Sequence, residues 1–400
     1  MSVMTEGHSE DYGPIRCEAD IAAFRAMLEH CFGLGRELTE LWIRRVDPSR
    51  IRLLREGGVP VAGLALLRAA QYFGTRAVPM TGINAVAVPP QARGQGVASR
   101  LMRCAVREIR GSGVAISTLY PATISLYRRS GYELAGHAFV LKGSLKSLPT
   151  DERALRAREA TNEDWAAVRA MHPGLASRYH GSLERNELFW ERIAKPRGEE
   201  AQRWVFVSPE SGAIEGWVIL QQKVSSGGFG FDVTVWDAWA STGRAAARFW
   251  SFLGSYGTMG GDFRVHFVGP SDPILSALGE RRYTMELNEH WMLRMCDVKG
   301  AIEARGYPRA VRCVFEIDVV DDVIPEQSGP IRVEVEGGRA RVSAGRAGAT
   351  RVGIRELASL YTGFHTPAVL AASGVVGFGE EEAEAIGAVF AGLPALREAF

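Results

Sequence analysis

The sequence predicts a mixed α/β chain, α/β or α+β in class, in which two units of similar element order precede a third of different style. Three observations carry this. Strand-like apolar runs alternate with helical apolar spacing across residues 14–145. The same order of strand, helix, hairpin, strand and helix returns between Leu155 and Leu293, as a structural and not a literal repeat. From Met295 on, short strands give way to apolar helices.

In the first unit, Ile15–Cys17 reads as a short strand, and Asp20 is placed to cap a helix carrying Ile21, Phe24, Met27, Leu28 and Cys31. Arg50–Arg55 and Val59–Gln71 form a hairpin around Glu56-Gly57-Gly58. Thr81–Val88 is the next strand, stopped by Pro89-Pro90, which supply no ladder donors. A long helix follows, with Val97, Leu101, Met102, Ala105, Val106 and Ile109 on one face. Val114–Leu119 is a short buried strand broken at Tyr120-Pro121. Ala122–Ser130 is a short helix ended by Gly131, and Tyr132–Leu141 returns as a strand.

Residues 145–153 turn polar and read as a linker. The second unit has a strand at Leu155–Arg158, a capping box Thr161-x-x-Asp164 and a helix with Trp165, Val168 and Met171. Trp204–Val207 and Gly216–Gln222 form a hairpin, Phe231–Trp236 a strand, and residues from about Thr242 to Leu253 a helix. Phe263–Val268, Ile274–Leu278 and a closing strand Tyr283–Leu293 follow. The third unit opens with a helix at Asp297–Arg305, then strands at Val311–Ile317, Ile331–Val335 and Arg339–Val342. Helices at Ile354–Tyr361, Thr366–Ala372 and from Glu380 through Phe390 complete it.

Composition narrows the function. Lys+Arg 47 against Asp+Glu 46 leaves a net charge of +1, which argues against a general binder of nucleic acid or anionic membrane. Five scattered cysteines without a Cys-x-x-Cys pair fit reduced thiols in a cytoplasmic protein, and the histidines show no metal spacing. No run approaches a membrane span, and the polar start lacks the apolar core of a signal peptide.

The most informative stretch is Val86–Ser99. A strand ends, Gly94 and Gly96 open the backbone, and a helix begins at Val97. That arrangement gathers free N–H groups and a positive dipole end at one point, with Arg93 adding a cation, and it suits a pyrophosphate. The dinucleotide fingerprint fails at Ser99, and the nucleotide P-loop fails because no lysine occurs between residues 76 and 141. In the second unit the matching turn, Asp237–Arg244, has one glycine, which reads as scaffold. Tyr127 is the candidate proton donor, a phenol that stays neutral at pH 7. Tyr120 and Tyr132 are weaker candidates.

Gln91-x-x-Gly94-x-Gly96 together with Leu126-Tyr127-Arg128-Arg129-Ser130-Gly131-Tyr132 resembles the GNAT acetyltransferases. Further pieces resemble the enhanced intracellular survival (Eis) family of N-acetyltransferases: Tyr120-Pro121-Ala122-Thr123, Met292 through Asp297 with Ala304-Arg-Gly-Tyr307, Leu360-Tyr-Thr-Gly363 and the terminal phenylalanine. The resemblance implies a catalytic GNAT unit at 1–147, a degenerate GNAT-like unit at 148–293 and a sterol-carrier-protein-like α/β unit at 294–400. It implies acetyl-CoA as co-substrate, bound by Val86, Ala87, Val88, Gly94, Gln95, Gly96, Val97, Ala98, Ser99, Ala122 and Thr123, with Arg93 added from local charge. It implies Tyr127 as acid, the main-chain carboxylate of Phe400 as base by way of water, and aminoglycoside, polyamine-like or lysine amines as acceptors. Glu398, with Ala399 after it, shifts the acidic help that family members place beside the terminus, which bears on aminoglycoside use. A homo-oligomer, ring-like and hexameric in family members, is implied too. The alternative from another class is a carrier that binds lipid or CoA without turnover, separable by whether an amine releases free CoA.

Overall fold

The computed structural model describes residues 10–225 and 229–398. The first unit comprises β1 (Asp11–Pro14), α1 (Glu18–Phe32), α2 (Arg36–Val46), β2 (Ile51–Glu56), β3 (Val59–Phe73), β4 (Arg76–Ala87), α3 (Val97–Gly111), β5 (Ile116–Leu119), α4 (Ile124–Arg128) and β6 (Glu133–Ser144). The first strand lies earlier than Ile15–Cys17, because Asp11–Pro14 pairs with Arg52–Arg55. Asp20 does not cap α1. Its carboxylate accepts from the Arg16 amide at 2.8 Å and pairs with buried Arg55 at 2.5 Å. Burial alone would raise this carboxyl, but Arg55 and the Arg16 amide hold it low. The next strand is longer than expected, because a second hairpin turns at Gly74-Thr75, both at positive φ, and brings Arg76–Met80 into β4.

The second unit contains β7 (Arg156–Glu159), α5 (Asn162–Ala176), β8 (Leu183–Glu184), α6 (Glu187–Ala194), β9 (Gln202–Val207), β10 (Ile214–Val224), β11 (Phe231–Ala240), α7 (Gly243–Gly254), β12 (Gly260–Val268), α8 (Pro273–Ser276) and β13 (Thr284–Met295). The Thr161/Asp164 capping box forms as expected.

The two units exchange their closing strands. The main sheet runs β1-β2-β3-β4-β5-β13-β6-β12-β11-β10-β9-β7, with β8 paired to β3 off this path. Thus β13 fills the gap between β5 and β6, and β6 continues on to β12. Side chains of β6 serve two cores in consequence. Leu141 packs in the cluster with Phe206, Val218 and Trp250, while Ala135 packs with Ile116 and Trp291.

The third unit has α9 (Val298–Ala304), β14 (Cys313–Val320), β15 (Gly329–Glu336), β16 (Arg339–Ala344), β17 (Thr350–Gly353), α10 (Ile354–Thr362), α11 (Pro367–Ala372) and α12 (Glu380–Phe390). Its sheet runs β16-β15-β14-β17. One apolar cluster joins Phe315, Val333, Leu357 and Phe390 of this unit to Phe73, Met80 and Ile116 of the first. The chain beyond α12 then leaves its own unit. Pro394 and Ala395 bridge to His180 and His137, and the Ala395 amide donates to the His180 carbonyl at 2.7 Å. Among the described residues no helix is long and apolar enough to cross a membrane.

Candidate active site

Two adjacent parallel strands make the site by parting. β4 pairs with β5 only from Met80–Gly82 against Ile116–Thr118. From Ile83 to Ala87 β4 stays bonded to β3 alone, with a shifted register near its end and Ala85 at φ +54°. The edge of β4 that faces away from β3 there meets no strand among the described residues, so its N–H and C=O groups are open to a ligand. α3 starts at the mouth of this gap. Its N-cap is Gly96 in the left-handed region, without a side-chain cap, which leaves the first-turn amides of Val97, Ala98 and Ser99 without the usual hydroxyl or carboxylate partner. Gly94 and Gly96 sit at φ +77° and +75°, a conformation other residues rarely adopt, and nothing lies within 4 Å of where their Cβ atoms would stand.

A cavity of about 520 Å³ occupies the gap. Val86, Val88, Gly94, Gly96, Val97, Ala98, Ser99, Ala122 and Thr123 line it, and Tyr127 closes it from α4. Arg93 also lines it, and its Nε donates to the Val88 carbonyl at 3.0 Å, which fixes the cation at the strand end. Two residues lie differently. The Ala87 side chain is buried in the core with Phe24 and Leu53, and the Gln95 side chain turns back to donate to the Gln91 carbonyl at 3.2 Å. Sequence reasoning missed Cys31 and Phe32 at the end of α1, Ala92 in the loop, and Leu126 on α4 with Arg129 just beyond it, which complete the wall. The last two lie one and two residues from Tyr127 and were findable from its position. The first two come from α1, a separate element that only the fold brings against the loop.

Tyr127 is 4% exposed, and its hydroxyl hydrogen-bonds to none of the described residues. Burial pushes its pKa up to about 12, so the phenol is fully protonated at neutral pH. Tyr132 is occupied elsewhere. Its hydroxyl donates to Ser117 Oγ at 2.7 Å, and Ser117 donates to the Thr81 carbonyl at 2.8 Å. The Tyr120 hydroxyl donates to the Glu398 carbonyl at 2.6 Å.

The segment ending at Glu398 is built in. Leu396, Arg397 and Glu398 are all buried. The Glu398 carboxylate accepts from Arg185 Nε at 2.9 Å and from the Leu183 amide at 3.1 Å. Burial would raise its pKa, but Arg185 and His172 outweigh that and hold it low. Arg185 in turn donates to Asp237 at 2.8 and 2.9 Å. Phe400 lies outside the described residues.

The corresponding helix start in the second unit is built differently. Thr242 caps α7 by accepting from the Ala245 amide, so the groups left free at α3 are partly satisfied there.

Residues 14–135 and 181–295 match families described as acetyltransferase (GNAT) domain, and residues 298–396 match the sterol carrier protein domain. The chain therefore belongs to the GNAT superfamily and is an acetyltransferase, with two GNAT domains ahead of a sterol carrier protein-like domain. It is homologous to the N-acetyltransferase Eis of Mycobacterium bovis, 26% identical over 370 residues covering 85% of this chain and 86% of that one. An uncharacterized N-acetyltransferase of Streptomyces griseus is 27% identical over 79% of this chain and 80% of its own. Among solved structures, a GCN5-related N-acetyltransferase from Anabaena variabilis superposes with a TM-score of 0.92 at 27% identity, covering 98% of this chain and all of that one. One from Kribbella flavida gives 0.82 at 28%, covering 99% and 100%.

Proposed function

We propose that this chain transfers the acetyl group of acetyl-CoA to an amine by direct attack in a ternary complex. One observation carries the reading: the open edge of β4, the uncapped mouth of α3 and the Tyr127 phenol share one cavity. The CoA diphosphate is assigned to the amides from Gly94 to Ser99, where the helix dipole adds to the N–H donors. The pantetheine arm is assigned to the free edge at Val86–Val88, whose N–H groups also polarise the thioester carbonyl. The amine nitrogen attacks that carbonyl, a C–N bond forms and the C–S bond breaks. The sulfur takes a hydrogen bond and then the proton from Tyr127, which solvent replaces.

The ammonium proton of the acceptor goes, through water, to the α-carboxylate of Phe400. A free α-carboxyl has a pKa of about 3.5, so a relay or burial must assist it. Support comes from Glu398, which is anchored at Tyr120, directly before the cavity-lining Ala122–Thr123 segment. The acceptor is a small-molecule amine or a lysine side chain, the classes that the family resemblance supplies, and the assembly a homo-oligomer.

The experiment is release of free thiol from acetyl-CoA across a panel of amines, with the products weighed by mass spectrometry. Amine-dependent thiol release with a product heavier by one acetyl group supports the reading. Thiol release at the buffer rate for every amine contradicts it.

A further inference from the structure

A second cavity, of about 540 Å³, is lined from two residues further along the chain than the first. Phe32 lines one and Leu34 the other, and Glu398, held by Tyr120, lines the second. Its wall is mostly apolar, with Leu38, Leu41 and Trp42 of α2 facing Leu188 and Ile193 of α6. Among the described residues, the charged groups on that wall are four arginines and a single carboxylate.

Their commitments differ. Glu398 is taken up by Arg185 and the Leu183 amide, so it has little to offer a cation. Arg397 pairs with Asp272, donates to the Ala238 carbonyl at 2.7 Å and lies 4.0 Å over the Trp239 ring. Arg45 pairs with Glu191 at 3.2 Å and donates to the Lys195 carbonyl at 3.1 Å. Arg192 forms no hydrogen bond or ion pair with any described residue, and its Nη1 is buried. Arg45 adds like charge beside it. Burial first, and Arg45 second, lower Arg192 to about 10, still charged at neutral pH. Arg197 is exposed at the rim, also with no ion pair among the described residues. Glu289 acts on Tyr120 but does not line the cavity.

We propose that this cavity is the acceptor pocket and that it selects an amine carrying an apolar body and a carboxylate, the carboxylate seated on Arg192. The inference rests on the acetyl-transfer reading and narrows its acceptor. Arg192 is half-buried, and its buried Nη1 has no partner among the described residues; a carboxylate supplies one, with two parallel N–H bonds. A polycation meets the opposite: like charge from Arg192, Arg45 and Arg197, while Glu398, the one acid among the described residues of the wall, is already engaged by Arg185 and the Leu183 amide.

The test compares phenylalanine, tryptophan and leucine with their amides, and with spermidine, by thiol release. The free acids are expected to exceed the amides and spermidine in kcat/KM by about tenfold or more, the scale of one charged hydrogen bond. Arg192→Gln is expected to raise KM for the acids about tenfold and leave the amides unchanged, with Arg192→Lys recovering part of the loss. Calorimetry of the N-acetylated acid, the product, gives a readout independent of turnover, and acetyl-CoA binding reports that the variants are folded. Equal or better use of the amides or spermidine overturns the proposal. So does a loss in Arg192→Gln shared equally by acids and amides, which assigns Arg192 to the fold or to the chain's own terminus. Absence of thiol release with every amine removes the acetyl-transfer reading. Product binding that depends on Arg192 in that case still upholds the carboxylate site, and its absence removes that too.

Discussion

The Tyr120 hydroxyl donates to the Glu398 carbonyl at 2.6 Å, tying the end of β5 to a segment 278 residues later in the chain. The bond makes the last described residues part of the first unit's architecture, although they follow a different domain. A segment with buried Leu396, Arg397 and Glu398 is held at several points and does not behave as a frayed end.

Tyr127→Phe removes the hydroxyl and little else, because that hydroxyl bonds to none of the described residues. Turnover is expected to fall by about 10²–10⁴-fold, the usual contribution of a general acid. The acetyl-CoA Kd, measured by calorimetry, is expected to stay unchanged. Full activity removes Tyr127 as the acid.

The pH profile follows from the same side chain. The active form is the neutral phenol, which is lost as pH rises through about 12. No alkaline decline from this group is therefore expected below about pH 11. A profile of kcat against pH checks this, and a limb near pH 10 that vanishes in Tyr127→Phe contradicts it.

Gly96→Val tests the mouth of α3. With nothing within 4 Å of the new Cβ, the cost to the fold is that of the left-handed backbone, about 1–2 kcal/mol. Acetyl-CoA binding is expected to weaken beyond that cost, since the branched side chain occupies the approach to the amides. Thermal unfolding and calorimetry on the same samples separate the two effects.

Glu398→Gln leaves Arg185 paired with Asp237 alone. Removing one partner from a buried charged network destabilises by about 3–5 kcal/mol, read from denaturant unfolding. Acid sensitivity should change as well. Burial would raise Glu398 and Asp237, but Arg185 holds both below their ordinary values. Depressed carboxylates give stability that is present above their unfolded pKa values, about 4, and is lost as pH falls through the folded ones. The variant is thus expected to lose less stability than the wild type between about pH 4 and pH 2.

One glycine added after Phe400 displaces the α-carboxylate and deletes nothing. Turnover is expected to fall with the acetyl-CoA Kd unchanged. Full activity in thiol release rules out the terminus as base.

Much of this was legible before the structure. The stripe Val97, Leu101, Met102, Ala105, Val106 and Ile109 is buried as its spacing requires, because one-sided burial leaves a period of 3.6. The glycine mouth was readable because left-handed backbone selects glycine. α2 was not, since Thr39, Ile43 and Val46 are its only buried residues and its pattern is mostly polar. α6, with eight residues, and β17, with four, are too short for a period to declare itself. The strand exchange was invisible for a different reason. Tyr283–Leu293 reads as a strand whichever sheet receives it, and pairing between distant strands leaves no local mark. The arginine-lined cavity was hidden likewise, since Arg45, Arg192, Arg197 and Arg397 come together only through α2, α6 and the C-terminal segment.

The most direct measurement is a crystal structure with CoA bound. The diphosphate is expected on the amides between Gly94 and Ser99, with the pantetheine along Val86–Val88 and the sulfur beside the Tyr127 hydroxyl. A diphosphate seated elsewhere, or a sulfur pointing away from Tyr127, contradicts the account.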